Sequence, residues 1–363
     1  MKNKKSIILT VFVVLASAAA FILWDVITYR DYIDAFSGAT PLALEEKVPD
    51  SLTFQVKGKV KQVYQFNSRS FRLLAKTRVR TFEVSPGGEI MGAYIYTGIP
   101  VHYIMEGIVP EKKETDAFDR PMDIVVEFFS AAGESARFSY GELTCADDGL
   151  PITLAYHRTP LLPDKDPESY TRNKTKENII GLRLICPRER DTSRYLDNVL
   201  YGTLTVLETP DHLLPPLKKK SKCTSPSITC IEAGSRRPAS YDNVPNIEVS
   251  NWSRIGHSRG IKGDHPAAAS GYHLPTFLKR NFPGCSPEDF FLFIGCDGYR
   301  GIYSGREIFC TDAGNALILL ETMNGKPPKG GKTIAATSDF FLDRCVWGLS
   351  HIVRSQVSDT LSL

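Results

Sequence analysis

The chain lacks an excess of charge of either sign. It carries 44 Lys and Arg against 41 Asp and Glu in 363 residues, a net charge of +3. That balance leaves no broad basic field for a nucleic-acid backbone. The basic run Lys218–Lys222 (KKKSK) is short and follows prolines. It reads as a solvated linker, with contact to an anionic surface as the alternative. The chain has no CxxCH, so no c-type haem attachment, and no CxxC of the redox or zinc-ribbon kind. Beyond the amino terminus it has no hydrophobic run long enough to span a bilayer. It also has few stretches of sustained helical periodicity, which excludes an all-helical fold.

The one long apolar run is Ser6–Trp24, 19 residues without a charge, behind the basic KNKK at 2–5. At 1.5 Å per residue it matches a hydrocarbon core of roughly 30 Å. Lysines before it and Asp25 after it place the amino terminus in the cytoplasm and the rest outside. The competing reading is a cleaved leader with Ala16-Ser17-Ala18 as its site, but the apolar run continues past that point. The expectation is an uncleaved single-pass anchor in the cytoplasmic (inner) membrane, with the domains extracytoplasmic. The eight cysteines suit an oxidising compartment. Cys223 and Cys230 flank a short segment and could close a local loop; Cys285 and Cys296 bracket a similar span. Eight cysteines allow 105 full pairings, so the connectivity stays open.

What the chain does have is a repeat. Gly133–Tyr156 aligns without a gap to Gly298–Glu321 over 24 positions, with seven identities. These are Gly133/Gly298, Ser139/Ser304, Glu142/Glu307, Cys145/Cys310, Asp147/Asp312, Gly149/Gly314 and Leu154/Leu319. A period of 165 residues means two related domains, since solenoid units are far shorter. Alternation in LTFQVKGKV, the turn in VRTFEVSPGGEI, and the apolar runs MDIVVEFF and DFFLFIG read as strands. YTGIPVHYIMEG and GYHLPTFLKRN read as turns into short helices, with Pro100 suited to a first turn. The expected organisation is an anchor at 1–24, a stalk at 25–50, a domain at 51–208, a linker at 209–240, a shorter domain at 241–357 and a tail at 358–363.

Those strands, with GESARFSYGEL, PITLAY and GLRLICP in one half and CDGYRGIYSGREI and FFLDRCVWGLSHIV in the other, resemble the sulfite oxidase-like, oxidoreductase molybdopterin-binding domain family. The resemblance implies a mostly β (α+β) fold: two tandem sulfite oxidase-like domains after an N-terminal transmembrane helix. It also implies a molybdopterin cofactor whose molybdenum is held by one cysteine thiolate. The matching part of the first copy, Ser51–Thr144, contains no cysteine, and IEVSNWSRIGHSRG in the second keeps only a Trp-Ser pair. Cys145 and Cys310 fall too late in the pattern for that role.

His257, Arg259, Lys262 and His265 cluster in the Gly-interrupted loop HSRGIKGDH. They are the candidate cofactor-binding residues, because cations and exposed backbone N–H groups suit a phosphate. An exposed polar loop is the plainer reading. His102 and His273 stand near the matched helices as pocket candidates or ordinary satisfied histidines. Cys145 and Cys310 read as small apolar side chains beside a turn, and Asp147 and Asp312 as turn residues. His157 and Arg158 have no counterpart in the second half. No catalytic residue and no metal ligand is assigned. Two functions remain open. One is a binding or assembly module that has lost the metal-holding sulfur. The other is a molybdopterin-dependent oxidoreductase passing electrons to a membrane or periplasmic partner.

Overall fold

The computed structural model describes residues 48–112, 118–145, 149–161, 177–207, 223–254, 264–339 and 341–355. They lie in one compact unit, Val48–Leu363. The first half holds β1 (Thr53–Gly58), β2 (Tyr64–Asn67), β3 (Thr77–Val84), β4 (Ile90–Pro100), β5 (Ile124–Ser130), β6 (Ser135–Ser139), β7 (Thr153–Pro160), β8 (Glu177–Ile185) and β9 (Val199–Val206). The second holds β10 (Thr229–Glu232), β11 (Ser235–Pro238), β12 (Asn246–Arg254), β13 (Asp264–His273), β14 (Phe290–Gly295), β15 (Arg300–Ser304), β16 (Leu317–Met323), β17 (Thr333–Ala336) and β18 (Leu349–Ser355). The helices are short: α1 (Ser68–Leu73), α2 (Val101–Glu106), α3 (Tyr140–Thr144), α4 (Leu274–Asn281), α5 (Gly305–Cys310) and α6 (Asp312–Asn315).

The strands make four sheets, ordered β2-β1-β9-β5-β6, β11-β10-β18-β14-β15, β3-β4-β7-β8 and β12-β13-β16-β17. This is a mostly β, four-bladed propeller in outline. Its blades are drawn from distant parts of each half rather than from single meanders, and β1 and β9 pair in parallel. The second pair of blades repeats the strand order of the first, with β10 parallel to β18.

This corrects the expected pair of tandem sulfite oxidase-like domains. The halves are not separate bodies on a linker. One apolar cluster takes Val125 and Leu207 from the first half and Ile231, Phe290, Leu292, Ile294, Ile302 and Val353 from the second. Strand β14 is therefore buried along its whole length. Phe291 and Phe293 face the core of the second half, while Phe290, Leu292 and Ile294 face the shared cluster. An unbroken apolar run is what a strand buried on both faces requires. Residues 229–238, within the stretch expected to be linker, form the β10–β11 hairpin. No helix among the described residues is long and apolar enough to cross a membrane. The expected transmembrane segment Ser6–Trp24 lies outside them.

The local loops that Cys223–Cys230 and Cys285–Cys296 could have closed do not form. Cys223 bonds Cys296, 73 residues away, and so fastens the segment before β10 to the β14–β15 turn. Proteolysis without reduction should release one cross-linked pair of peptides containing Cys223 and Cys296. The other six cysteines should label as thiols once the chain is unfolded. A Cys223–Cys230 peptide in the mass spectrum would refute this pairing.

Candidate binding site at the junction of the halves

The repeat's invariant Ser and Glu meet at this junction. Ser139 and Ser304 cap α3 and α5, their Oγ atoms accepting 3.0 Å hydrogen bonds from the N–H of Glu142 and Glu307. Ser and Glu three residues apart usually form a reciprocal capping box. Here both glutamates turn into the interior instead. Each meets an arginine from the segment before its half's last strand.

Arg194 donates to both Glu142 carboxylate oxygens, at 2.5 and 3.1 Å, and to Glu189. Arg344 donates to Glu307 and grips Asp339 with two bonds of 2.5 and 2.6 Å. The two sets are equivalent residue by residue: 307 − 142 = 165, and 344 − 194 = 339 − 189 = 150. All four Glu and Arg side chains are buried. They also interlock across the halves. Ser304 Oγ donates to Glu142 Oε2 at 3.0 Å and accepts from Arg194 Nη1 at 3.4 Å.

The equivalence breaks at the second residue of α3. A Cβ on Gly141 would lie 2.0 Å from Arg344 Cδ of the other half, so only glycine admits that side chain. The corresponding residue on α5 is Arg306, which binds Glu189 at 2.8 Å, Asp191 at 2.5 Å and Glu288 at 3.3 Å. Gly141→Ala should therefore cost about 2 kcal/mol of stability, the overpacking range. Urea unfolding checks it, and a change under 0.5 kcal/mol would show that Arg344 moves aside freely.

Glu307 is the least satisfied member. Its Oε2 is buried and accepts no hydrogen bond among the described residues. Burial raises its pKa from 4.5 to about 7 against the opposing pull of Arg344, with the Glu142 and Asp339 charges adding to the rise.

A cleft of about 210 Å³ opens beside this network, lined by residues of both halves including Ser135, Arg137, Ser193, Glu288, Ser304 and Arg306. None of the candidate residues named from the sequence lines it. His257, Arg259 and Lys262 lie outside the described residues. His265 stands in β13, its side chain likewise outside them. His102 packs on Tyr103 at 4.1 Å between ring centroids. His273 precedes α4, its Nδ1 2.8 Å from Thr276 Oγ1, and burial holds its pKa below the usual value. His157 and Arg158 lie in β7, where Arg158 sits over the Tyr94 ring. Asp147 is outside the described residues; Asp312 opens α6 at the surface, 3.7 Å from Arg190.

The molybdopterin site that the resemblance implies requires a thiolate. Burial pushes the Cys145, Cys230 and Cys345 thiols up to about 12 and raises those of Cys186, Cys285 and Cys310 as well. Thiols held protonated in this way do not fit the group. Among the described residues no three His, Cys, Asp or Glu are grouped to hold a metal ion.

No family model matches the chain, and no curated protein does. Among solved structures it is similar to the sulfane dehydrogenase SoxCD from Paracoccus pantotrophus, at 10% identity and a TM-score of 0.31, over 67% of this chain. The match spans 57% of that structure's chain. A likeness at that score carries no argument about fold or activity here.

Proposed function

We propose that the chain is a non-catalytic binding or assembly module that works outside the cytoplasm at the membrane face and takes a protein partner there. The observation that carries this reading is the junction. Its buried cations are engaged by carboxylates of the same chain, so the polar centre of the molecule holds two halves together. Burial raises the pKa of all six free thiols, which agrees, because a nucleophile or soft-metal ligand has to be a thiolate. The Cys223–Cys296 disulfide supports an oxidising compartment. The balanced charge argues for a protein rather than a nucleic-acid partner.

The test is elemental. Protein purified from cells that make the pterin cofactor should contain molybdenum and pterin far below one per chain. Stoichiometric metal would overturn the module and reinstate a molybdopterin-dependent oxidoreductase passing electrons to a partner.

A further inference from the structure

The β3–β4 hairpin turns uncovered hydrocarbon and cations to the same side. Alternate residues of a strand share a face. In β3, Val79, Thr81 and Glu83 are buried, while Arg78, Arg80 and Phe82 are exposed. The register sets Arg80 opposite Ile95, Phe82 opposite Ala93 and Val84 opposite Ile90. The outer side of the hairpin therefore presents Phe82, Val84, Ile90, Ala93 and Ile95 beside two arginines. Phe82 is 62% exposed and Ile90 72%. Lys76, also exposed, stands just before β3. None of Lys76, Arg78 and Arg80 has a carboxylate partner among the described residues.

The fold does not demand this face. A Cβ on Gly98 of β4 would lie 2.3 Å from Leu154 O, and one on Gly271 of β13 would lie 2.3 Å from Leu319 O. Leu154 and Leu319 are a matched pair of the repeat, so the two glycines are equivalent. Thr77 stands opposite Gly98, and Ile247 opposite Gly271. Counting on from there, Arg78 corresponds to Glu248 and Arg80 to Ser250, both exposed. Guarding a sheet edge takes charge, but no exposed aromatic ring.

The chain also enters the fold beside this face. Asp50 pairs with Arg72 in the last turn of α1. Leu73, the exposed end of α1, is followed by Lys76 and then β3. The stretch expected to come from the membrane thus joins the fold at the basic end of β3.

We propose that this face of the hairpin lies flat on an anionic phospholipid surface. Its apolar side chains enter the headgroup boundary, and Lys76, Arg78 and Arg80 meet lipid phosphates. The stems of the arginines lie along the hydrocarbon while their charged heads stay in the polar layer. An acidic protein offers similar charges, but a tether holds lipid at high effective concentration. The proposal rests on the membrane-face part of the reading above and supplies the surface that docks there.

The test uses the full-length chain carrying Phe82→Trp, with vesicles of phosphatidylcholine and about a third phosphatidylglycerol, made with and without brominated acyl chains. Emission of the parent, from Trp24, Trp252 and Trp347, is subtracted. The emission added by Phe82→Trp should be largely lost in the brominated vesicles and kept when phosphatidylglycerol is left out. Adding Arg78→Gln and Arg80→Gln should restore it, since each basic residue at an anionic surface strengthens binding by about a factor of five. Should Phe82→Trp lower the unfolding midpoint, Ile90→Trp on the facing strand carries the same reporter. Emission untouched by brominated lipid leaves the face to a protein and overturns the proposal. Equal quenching without phosphatidylglycerol, or with both glutamines in place, overturns it as well. The molybdenum assay separates the two claims. Metal-free protein with an unquenched hairpin sinks the docking face alone, and metal-loaded protein with a quenched one sinks the module alone.

Discussion

Arg344→Ala should remove about 4 kcal/mol of stability, within the range for breaking a buried ion pair by deleting one partner. The Arg344 side chain is 2% exposed and its partners Glu307 and Asp339 are 6% and 1% exposed. Its guanidinium also lies 4.7 Å from the centre of the Tyr303 ring, and its stem fills the space that Gly141 leaves. Alanine leaves the Asp339 carboxylate buried without the cation that balances it, removes the donor to Glu307 and opens a cavity beside Gly141. The variant should show a lower urea midpoint. Arg344→Lys should recover little, since an ammonium cannot make the two-point grip on Asp339 while also reaching Glu307. A loss below 1 kcal/mol for Arg344→Ala would mean that Glu307 and Asp339 tolerate burial without its charge.

Much of this molecule was legible in the sequence, and the rest was not for physical reasons. Period-2 alternation and turn residues located strands β1, β3 and β4, because a half-buried strand writes its faces into its residues. The repeat also singled out Ser139, Glu142, Ser304 and Glu307. It missed their arginines because the spacing changes along the chain. The glutamates are 165 residues apart and the arginines 150. The polar stretch 161–176 of the first half has a shorter counterpart at Met323–Gly331 in the second, so an ungapped comparison at 165 loses register before Arg194. The hairpin β10–β11 was missed because SRRP shows no alternation and all four of its residues are exposed. Whether two repeats stand apart or share a core depends on the outer face of β14, and an apolar run does not say what covers it. A resemblance carried by strand order and turn spacing said nothing on that point either. The disulfide is a long-range closure, which cysteine spacing alone cannot rank against the local ones.

Glu307→Gln should flatten the pH dependence of stability. The groups that face Glu307 are Arg344 and Asp339 from the segment before β18, Glu142 from α3, and Tyr303 from its own half. Glu142 is in turn held by Arg194. In the folded chain the Glu307 carboxyl keeps its proton up to about pH 7, whereas the unfolded chain releases it near 4.5. Between those values the folded state binds more protons, so its stability falls as pH rises. The contribution is fully present below pH 4.5, is lost progressively through about pH 7, and stays lost above it. A shift of that size corresponds to about 3 kcal/mol between pH 4.5 and 8. Glutamine has the shape of the protonated acid and cannot ionise, so the variant should be the more stable protein at pH 8 and close to the parent at pH 5. Urea titrations of both proteins at the two pH values measure the difference directly. If the two profiles run parallel, Glu307 is ionised throughout. Arg344 then compensates its burial, and the junction holds two full ion pairs rather than one pair and a proton.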